Sequence, residues 1–273
     1  MYQRQALECI KWMEKQGIKT IEKAQANDVF NYVEYIKTRP NKRKAGTLSP
    51  STISHHLFSL RLLFDYCYNS KIINYTIPFP KFTKPQRKIR NILTLEEIGL
   101  IFKACENPRD SAMLTILYGC GLRRNEAHWL DSGDVQIHIK LVFVQEGKGR
   151  KFRKIPLSNK SVEYLREYER NYRPQLLKKR EVQTVEPAYI LNNQGCRLKG
   201  DGMYKRLFYL IEQTGNLKLQ QKSISPHTLR HSIATHLVDL NVNMSWVQAF
   251  LGHATPDSTH IYTRNRKKYE SLY

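Results

Sequence analysis

The sequence predicts a mainly α-helical protein with one small β-hairpin, divided into an all-helical N-terminal domain and an α+β C-terminal domain. Apolar residues recur at helical spacing through most of the 273 residues. One segment, 135–157, is instead rich in Val and Ile and is broken by Gly-Lys-Gly. Three prolines interrupt a basic stretch over 78–91, where helices end. We therefore expect domains at 1–77 and 92–273, joined by a linker over 78–91.

The first domain is predicted to be helical from its apolar periodicity and one start signal. Residues 2–13 and 29–36 each keep one apolar helical face. Ser49 and Pro50 have the residue types of an N-cap and a first helical position. Apolar residues then follow on one face to about Asn69, which predicts a third helix.

The second domain is predicted to begin with helices, continue through the hairpin and return to helices. Thr94 to Glu97 match a capping box, and a helical run over about 108–118 ends at Gly119-Cys120-Gly121. A first β segment over 135–144 contains a turn, and 151–157 is the return strand. The polar stretch 173–186 is expected to be a loop or a frayed helix end. Further helices are predicted at about 161–172, 203–214, 226–238, 244–250 and from 256 onward.

The charge of the chain predicts a polyanionic partner. Lys and Arg number 45 against 24 Asp and Glu, a formal charge of +21. Residues 1–90 contain 17 basic and 6 acidic side chains, so this small region carries a net +11. A charge run can simply be a solvated face, but an excess of this size on a small domain favours nucleic acid.

Other function classes are disfavoured by what the sequence lacks. No stretch approaches 18 consecutive apolar residues, and the N-terminus shows no apolar signal-peptide core. The five cysteines are odd in number and scattered, which predicts reduced thiols in a cytoplasmic protein. His231 and His236 have a poor spacing for a metal site, so we expect no metal and no cofactor.

Five short segments carry residue types suited to chemistry, although each has an ordinary structural explanation when taken alone. Arg123 could pair with Glu126 on a helix surface, Lys148 could be a solvated hairpin lysine, and His253 could cap a helix. The segments are Gly121-Leu-Arg-Arg-Asn-Glu126, Gly147-Lys-Gly-Arg-Lys151, His227-Thr-Leu-Arg-His231, Leu251-Gly-His253 and Ser258-Thr-His-Ile-Tyr-Thr263.

In this order and spacing, the segments resemble the tyrosine recombinase family, the phage integrase and Xer-like enzymes. The family pattern of Arg, Lys, His-x-x-Arg, His or Trp, and Tyr falls on Arg123, Lys148, His227, Arg230, His253 and Tyr262. Its G-L-R-x-x-E, G-K-G and H-T-L-R-H-x-x-A-T-H-L motifs all stand in the sequence, and the tyrosine follows the histidine of L-G-H by nine residues. The N-terminal part resembles the family's core-binding domain, so the resemblance spans nearly the whole chain.

The resemblance implies a site-specific recombinase that cleaves and rejoins duplex DNA. Cleavage of a phosphodiester adds negative charge to two non-bridging oxygens, which paired guanidinium groups can bind bidentately. Arg123 and Arg230 would fill that role in place of a metal ion. Glu126 would orient these arginines.

The covalent step implied by the resemblance uses Tyr262 as nucleophile. Its ordinary pKa is near 10, so a neighbour must take its proton, and His227 is the candidate base. The 5′-oxygen leaves poorly without a general acid, a role suited to Lys148. His253 would bind the scissile phosphate or brace Tyr262. The product would be a 3′-phosphotyrosine, which preserves the bond energy for rejoining.

The two domains would clamp double-stranded DNA, and four subunits would assemble on two duplexes, with accessory host proteins possible. The expected phosphate contacts are Arg39, Lys42, Arg43, Lys44, Lys81, Lys84, Arg87, Lys88, Arg150 and Lys151. Arg124, where the family usually has an aliphatic residue, either contacts phosphate or points to solvent. The tail of 11 residues after Tyr262 is short for exchange between subunits, and part of the family's leading segment is expected to be missing.

Two alternatives stay open beside the recombinase. A type IB topoisomerase uses a similar catalytic set but relaxes DNA as a single subunit. An integrase-derived factor could bind DNA without cleaving it, although pure binding needs neither Tyr262 nor Lys148. The target sequence and the genetic task, whether integration, excision, inversion or dimer resolution, are not encoded in these motifs.

Overall fold

A computed structural model describes residues 2–41, 45–79, 91–145, 152–180 and 185–252. The chain divides into two compact units, Met1–Ile89 and Arg90–Tyr273, and this division falls inside the stretch predicted to be a linker. The mainly helical fold with one small sheet is confirmed. Within the described ranges, no helix has both the length and the apolar character needed to cross a membrane.

The first unit is helical, as predicted. It contains α1 (Tyr2–Lys15), α2 (Ala26–Thr38) and α3 (Pro50–Asn69), with a short 3₁₀ turn at Ile21–Lys23. The predicted start of α3 is confirmed: the Ser49 side chain accepts a hydrogen bond from the Thr52 backbone amide at 3.2 Å, and Pro50 follows at the first helical position. The apolar faces of the three helices meet in one core that includes Cys9, Tyr32, Ile36, Leu60 and Phe64.

The second unit holds the larger core and all three strands among the described residues. Its helices are α4 (Leu95–Lys103), α5 (Pro108–Leu114), α6 (Arg124–Trp129), α7 (Asn159–Glu167), α8 (Arg173–Leu177), α9 (Gly200–Gln213), α10 (Leu217–Gln220), α11 (Pro226–Asp239) and α12 (Met244–Leu251). The predicted capping box before α4 is confirmed, with Thr94 and Glu97 in reciprocal bonds.

The sheet is antiparallel with the order β1 (Val135–Gln136), β2 (Leu141–Gln145) and β3 (Phe152–Pro156). A 3₁₀ turn at Ile137–Ile139 supplies the turn that the sequence placed inside the first β segment. Side chains on β3 alternate between exposed and buried, so Arg153 and Ile155 face inward. Inward-facing positions of a strand are normally apolar, which makes Arg153 an exception.

Helix α11 ties the start of the second unit to its core. The Leu93 amide donates to Ser232 Oγ at 2.9 Å, and the Leu93 carbonyl lies 2.8 Å from His236 Nε2. The Tyr118 hydroxyl lies 2.8 Å from the other ring nitrogen of His236. Both ring nitrogens of His236 therefore have partners within the second unit.

Several segments differ from the sequence-based expectation; among them, α10 was not predicted, and the helix predicted at 161–172 becomes π-helical at Tyr168–Tyr172. The predicted helix over 108–118 is α-helical only to Leu114 and then widens into a π-helical turn at Thr115–Gly119. The stretch over 173–186, expected to be a loop or a frayed end, contains α8 at its start. Arg173 there donates to the carbonyls of Glu186 and Ala188, so tertiary bonds stabilise a short helix that local propensity does not predict.

Replacement of Gly121 by alanine is expected to destabilise the second unit by about 1–3 kcal/mol. Gly121 has φ +60°, and a Cβ there would lie 3.2 Å from side-chain carbons of both Leu251 and Phe250. Urea unfolding measures the difference. The control is Gly99→Ala in α4, where nothing lies within 4 Å of an added Cβ, and a gain of about 0.5–1 kcal/mol is expected there. An equal response of both variants would contradict the crowding argument.

Candidate active site

A glycine turn delivers Arg123 to the start of α6. After the π-helical turn, Gly121 takes the left-handed conformation and Leu122 is fully buried, so the chain reverses into the core before Arg123. Arg123 stands at the N-cap position, and its backbone amide donates to Glu126 Oε2 at 2.8 Å. The i, i+3 spacing within G-L-R-x-x-E therefore places the carboxylate of Glu126 within hydrogen-bond distance of Arg123.

Arg230 reaches the same place from α11. That helix starts at the Ser225 N-cap and Pro226, and Arg230 follows one turn later with its side chain only 4% exposed. Its guanidinium donates to the Gly121 carbonyl at 2.5 Å and to the Leu251 carbonyl. Two main-chain acceptors from different elements thus fix the plane of the group.

Glu126 lies between the basic side chains. Its Oε1 accepts from Arg123 Nη1 at 2.6 Å, and its Oε2 lies 3.7 Å from Arg230 Nη1. Burial alone would raise the pKa of this carboxyl, but the bonds from Arg153 and Arg123 outweigh it and lower the pKa to about 2. Glu126 is therefore ionised at neutral pH. The pairing of Arg123 with Glu126, considered above as a surface contact of a helix, is one part of a larger cluster in which Glu126 and Arg230 are buried.

Arg153 belongs to this cluster and was not among the predicted site residues. From β3 it donates to Glu126 Oε1 at 3.1 Å and to Oε2 at 2.7 Å. Its side chain is 8% exposed. The sequence does contain a signal for it, because Arg153 shares the inward face of the return strand with Ile155 and Leu157, which are both apolar and buried.

The end of α12 is bound by all three arginines. The carbonyl of Phe250 accepts from Arg153 Nε at 3.1 Å, that of Leu251 from Arg230, and that of Gly252 from Arg123 Nη2 at 3.1 Å. The last carbonyls of a helix have no partner within it, and they form its negative end. The guanidinium groups donate hydrogen bonds to these carbonyls, and their positive charge lies at the negative end of the helix. Gly252 terminates the helix in the left-handed conformation directly before His253 in the sequence.

The arginines differ in how far solvent reaches them. Arg123 is 37% exposed, whereas Arg230 is almost fully buried. A cleft of about 620 Å³ opens beside Arg123 and Glu126 and has Trp129 and Phe143 among its walls. Of the three arginines, Arg123 lines this cleft, whose walls also include Asp131 and Asp134. A guanidinium held in place at the edge of an open cleft can bind an oxyanion.

Of the predicted catalytic residues, the structure brings together Arg123 and Arg230, with Glu126, the residue predicted to orient them, in contact with both. His227 lies on the first turn of α11, three residues before Arg230, and is exposed. Lys148, His253 and Tyr262 lie outside the described residues. Within those ranges, no group of three His, Cys, Asp or Glu side chains is placed to hold a metal ion.

Of the predicted phosphate contacts, only Arg39 is described, and it is 10% exposed and pairs with Glu8 at 2.7 Å. This gives Arg39 a structural role, and its contact with DNA stays a prediction. The other nine lie outside the described residues. Arg124, considered above as a phosphate contact or a solvent-facing residue, pairs with Asp201 of α9 at 2.7 Å and packs on Gly200.

Replacement of Glu126 by glutamine is expected to reduce stability at pH 7 by about 3 kcal/mol, and the difference from wild type should shrink below pH 4.5. A carboxyl whose pKa is lower in the folded state contributes stability above its unfolded pKa and loses it as the pH falls toward 2. Urea unfolding at pH 7, 5 and 3 tests this. Glu163→Gln, which removes an exposed pair with Lys160, should change stability by less than about 1 kcal/mol at every pH.

Known proteins resemble this chain over most of its length. The model of the phage integrase family matches residues 91–269. Tyrosine recombinase XerD of Oceanobacillus iheyensis is 34% identical over 254 residues, which cover 91% of this chain and 80% of the relative. Tyrosine recombinase XerC of Pelotomaculum thermopropionicum is 30% identical and covers 92% of this chain and 89% of its own.

Solved structures share the fold at lower identity. The integrase of transposon Tn1549 in complex with transposon right-end DNA has a TM-score of 0.74 and 18% identity, covering 99% of this chain and 93% of its own. The XerH site-specific recombinase in its post-cleavage complex with difH DNA has a TM-score of 0.68 and 21% identity, covering 93% and 72%. With a family match over about two-thirds of its length, this chain belongs to the phage integrase family and is a tyrosine-type site-specific DNA recombinase.

Proposed function

We propose that this recombinase breaks and rejoins duplex DNA through a 3′-phosphotyrosyl bond on Tyr262, with Arg123 and Arg230 binding the scissile phosphate. One observation carries the proposal: Arg123 and Arg230 both lie against Glu126 and donate to carbonyls at the end of α12, the helix whose last residue stands two residues before His253. Arg123 and Arg230 are far apart in the sequence but lie together in the structure, which supports a shared role in binding one phosphate.

The proposed step conserves the number of phosphoester bonds. The Tyr262 oxygen bonds to phosphorus as its proton passes to His227, and the bond from phosphorus to the 5′-oxygen breaks. The leaving oxygen takes a proton from Lys148 and becomes a 5′-hydroxyl. Attack by a 5′-hydroxyl from another duplex reverses the sequence and releases Tyr262.

The arginines supply the electrostatic part of the catalysis. As phosphorus becomes five-coordinate, negative charge grows on its non-bridging oxygens, and fixed donors stabilise that charge without reorganising. Arg230 is fixed by two carbonyls, and Arg123 is fixed by Glu126 and Gly252. His253, two residues after the end of α12 in the sequence, would add a hydrogen bond to the phosphate or to Tyr262.

For the assembled state, we propose four subunits on two duplexes. The predicted phosphate contacts over 39–44, 81–88 and 150–151 would provide most of the sequence-independent affinity, which predicts steep weakening of binding with salt. Accessory proteins and a cytoplasmic location stay predictions. Relatives named XerD and XerC are about one-third identical, and a transposon integrase shares the fold, so the genetic task has to be read from the DNA that the protein cleaves.

Covalent capture tests the proposal. The protein is expressed in its host, cells are lysed into denaturant, and DNA that stays attached to the protein is isolated and sequenced at its ends. The Tyr262→Phe variant is the control. Adducts at a few defined loci that vanish in the control are expected, and they reveal the target site together with its genetic setting.

Two other outcomes would favour the alternatives. DNA binding without any adduct above the control would favour a factor that binds but does not cleave. Adducts spread over many sites, together with relaxation of supercoiled DNA by highly dilute monomer, would favour a topoisomerase.

A further inference from the structure

Arg153 has a charged side chain on the inward face of the sheet, where side chains normally belong to the apolar core. It lies on β3 opposite Val144 of β2, faces inward and is 8% exposed. Burying a guanidinium costs several kcal/mol unless its charge and its donors are all matched. A hydrophobic residue would fill the same place without this cost. The presence of an arginine at this position therefore has to be explained by the contacts that it makes.

The contacts of Arg153 connect two elements of the site. Both of its terminal nitrogens donate to Glu126, at 3.1 and 2.7 Å, in a two-pronged arrangement that fixes the carboxylate plane. Its Nε donates to the carbonyl of Phe250 at 3.1 Å. Arg153 thus joins the first turn of α6 to the last turn of α12.

Glu126, held by Arg153, in turn orients Arg123. The same Oε1 that accepts from Arg153 also accepts from Arg123 Nη1 at 2.6 Å, and Oε2 accepts from the Arg123 backbone amide. A carboxylate free to rotate about its last bond would not hold Arg123 in one orientation. With Arg153 fixing its plane, the guanidinium of Arg123 has a defined direction at the edge of the cleft.

We propose that Arg153 is a positioning residue for DNA cleavage, acting through Glu126 on Arg123 and through Phe250 on the end of α12. It does not itself touch the phosphate. The inference rests on the proposed function in one respect, the assignment of Arg123 to the scissile phosphate. Lysine cannot replace Arg153, because one ammonium group cannot make the fork to Glu126 and also reach the Phe250 carbonyl.

The test compares Arg153→Lys with wild type in single-turnover cleavage of a nicked duplex that carries the captured site. We expect cleavage to slow by about 10–100-fold, since small misplacements of catalytic groups have effects of this size. The dissociation constant for the same duplex should stay within about threefold, because the Arg153 side chain is only 8% exposed and donates to Glu126 and Phe250. Arg173→Lys is the matched control: Arg173 also donates to main-chain carbonyls of this unit, but outside the cluster.

A second substrate separates positioning from a general loss of folding. A duplex with a methylphosphonate at the scissile position carries no charge there, so it has less need of a correctly oriented Arg123. The deficit of Arg153→Lys relative to wild type should shrink at least about threefold on this substrate. A merely structural defect lowers the active fraction and therefore affects both substrates equally.

Several results would overturn the proposal: wild-type cleavage by Arg153→Lys, an equal deficit on both substrates, or a loss confined to DNA affinity. If Arg153→Lys does not fold, Glu126→Gln weakens the same fork from its other side and must show the same split between substrates. Failure of the wild-type protein to form any adduct would instead refute the proposed function, so the two failures are distinguishable.

Discussion

The Tyr262→Phe variant is expected to form no covalent adduct with DNA while binding DNA as tightly as wild type. The change removes one oxygen atom, the proposed nucleophile, and keeps the aromatic ring. Loss of the attacking atom in covalent enzymes lowers the rate by more than about 10⁴-fold. Denaturing gels of protein mixed with a nicked, labelled target duplex measure the adduct, and titration of the same duplex measures the affinity.

Tyr269→Phe is the matched control, because it removes a hydroxyl from the same C-terminal segment. Its adduct yield should equal that of wild type. An adduct that persists in Tyr262→Phe and disappears in Tyr269→Phe would transfer the nucleophile assignment to Tyr269. Loss of the adduct in both variants would point to a requirement of the tail rather than to one attacking oxygen.

The start signals of helices were the most reliable part of the sequence for predicting the fold. Ser49-Pro50 and the Thr94 to Glu97 box begin helices where predicted, because each cap depends on side chains within four residues of one another. The hairpin was predicted in the same way, from a local segment rich in Val and Ile. Such local interactions can be predicted from the sequence, because residues far along the chain have little influence on them.

The features that the sequence did not predict depend on partners far along the chain. The widening of α5 into a π-helical turn before Gly121, and the short helix α8, are set by packing in the second unit. Arg39 is predicted from the sequence as a phosphate contact, and the structure shows that it pairs with Glu8 of α1. A one-dimensional pattern reports that a side chain is basic, but its partner is decided by tertiary contacts.

The candidate site shows the same difference between features that follow from the local sequence and features that depend on distant partners. The motif spacing identified Arg123, Glu126 and Arg230, and the fold brings these three residues together. It did not show that the carbonyls at the end of α12 are their shared acceptors, nor that Arg153 completes the cluster. Both facts require four elements, α6, β3, α11 and α12, to meet at one point, and that meeting is a property of the packed core.

The Arg230→Lys variant is expected to cleave DNA about 10²–10³-fold more slowly, the effect of removing one fixed donor from a site that stabilises an oxyanion. Arg230 bridges the carbonyls of Gly121 and Leu251, and it lies 3.7 Å from Glu126. A lysine keeps the positive charge but presents a single ammonium group, which cannot bridge both carbonyls and also bind a phosphate bidentately. Single-turnover cleavage of the captured duplex measures the loss.

This variant should also be less stable, by about 1–3 kcal/mol, because one buried carbonyl loses its donor. Arg206→Lys provides the control for that effect. Arg206 makes a two-pronged bond to the fully buried Asp110, away from the cluster, so its replacement should cost comparable stability and leave cleavage unchanged. If both variants lost cleavage in proportion to stability, Arg230 would be a structural residue. A loss confined to Arg230→Lys assigns its guanidinium to the phosphate, because only there does the chemistry need two donors in one plane.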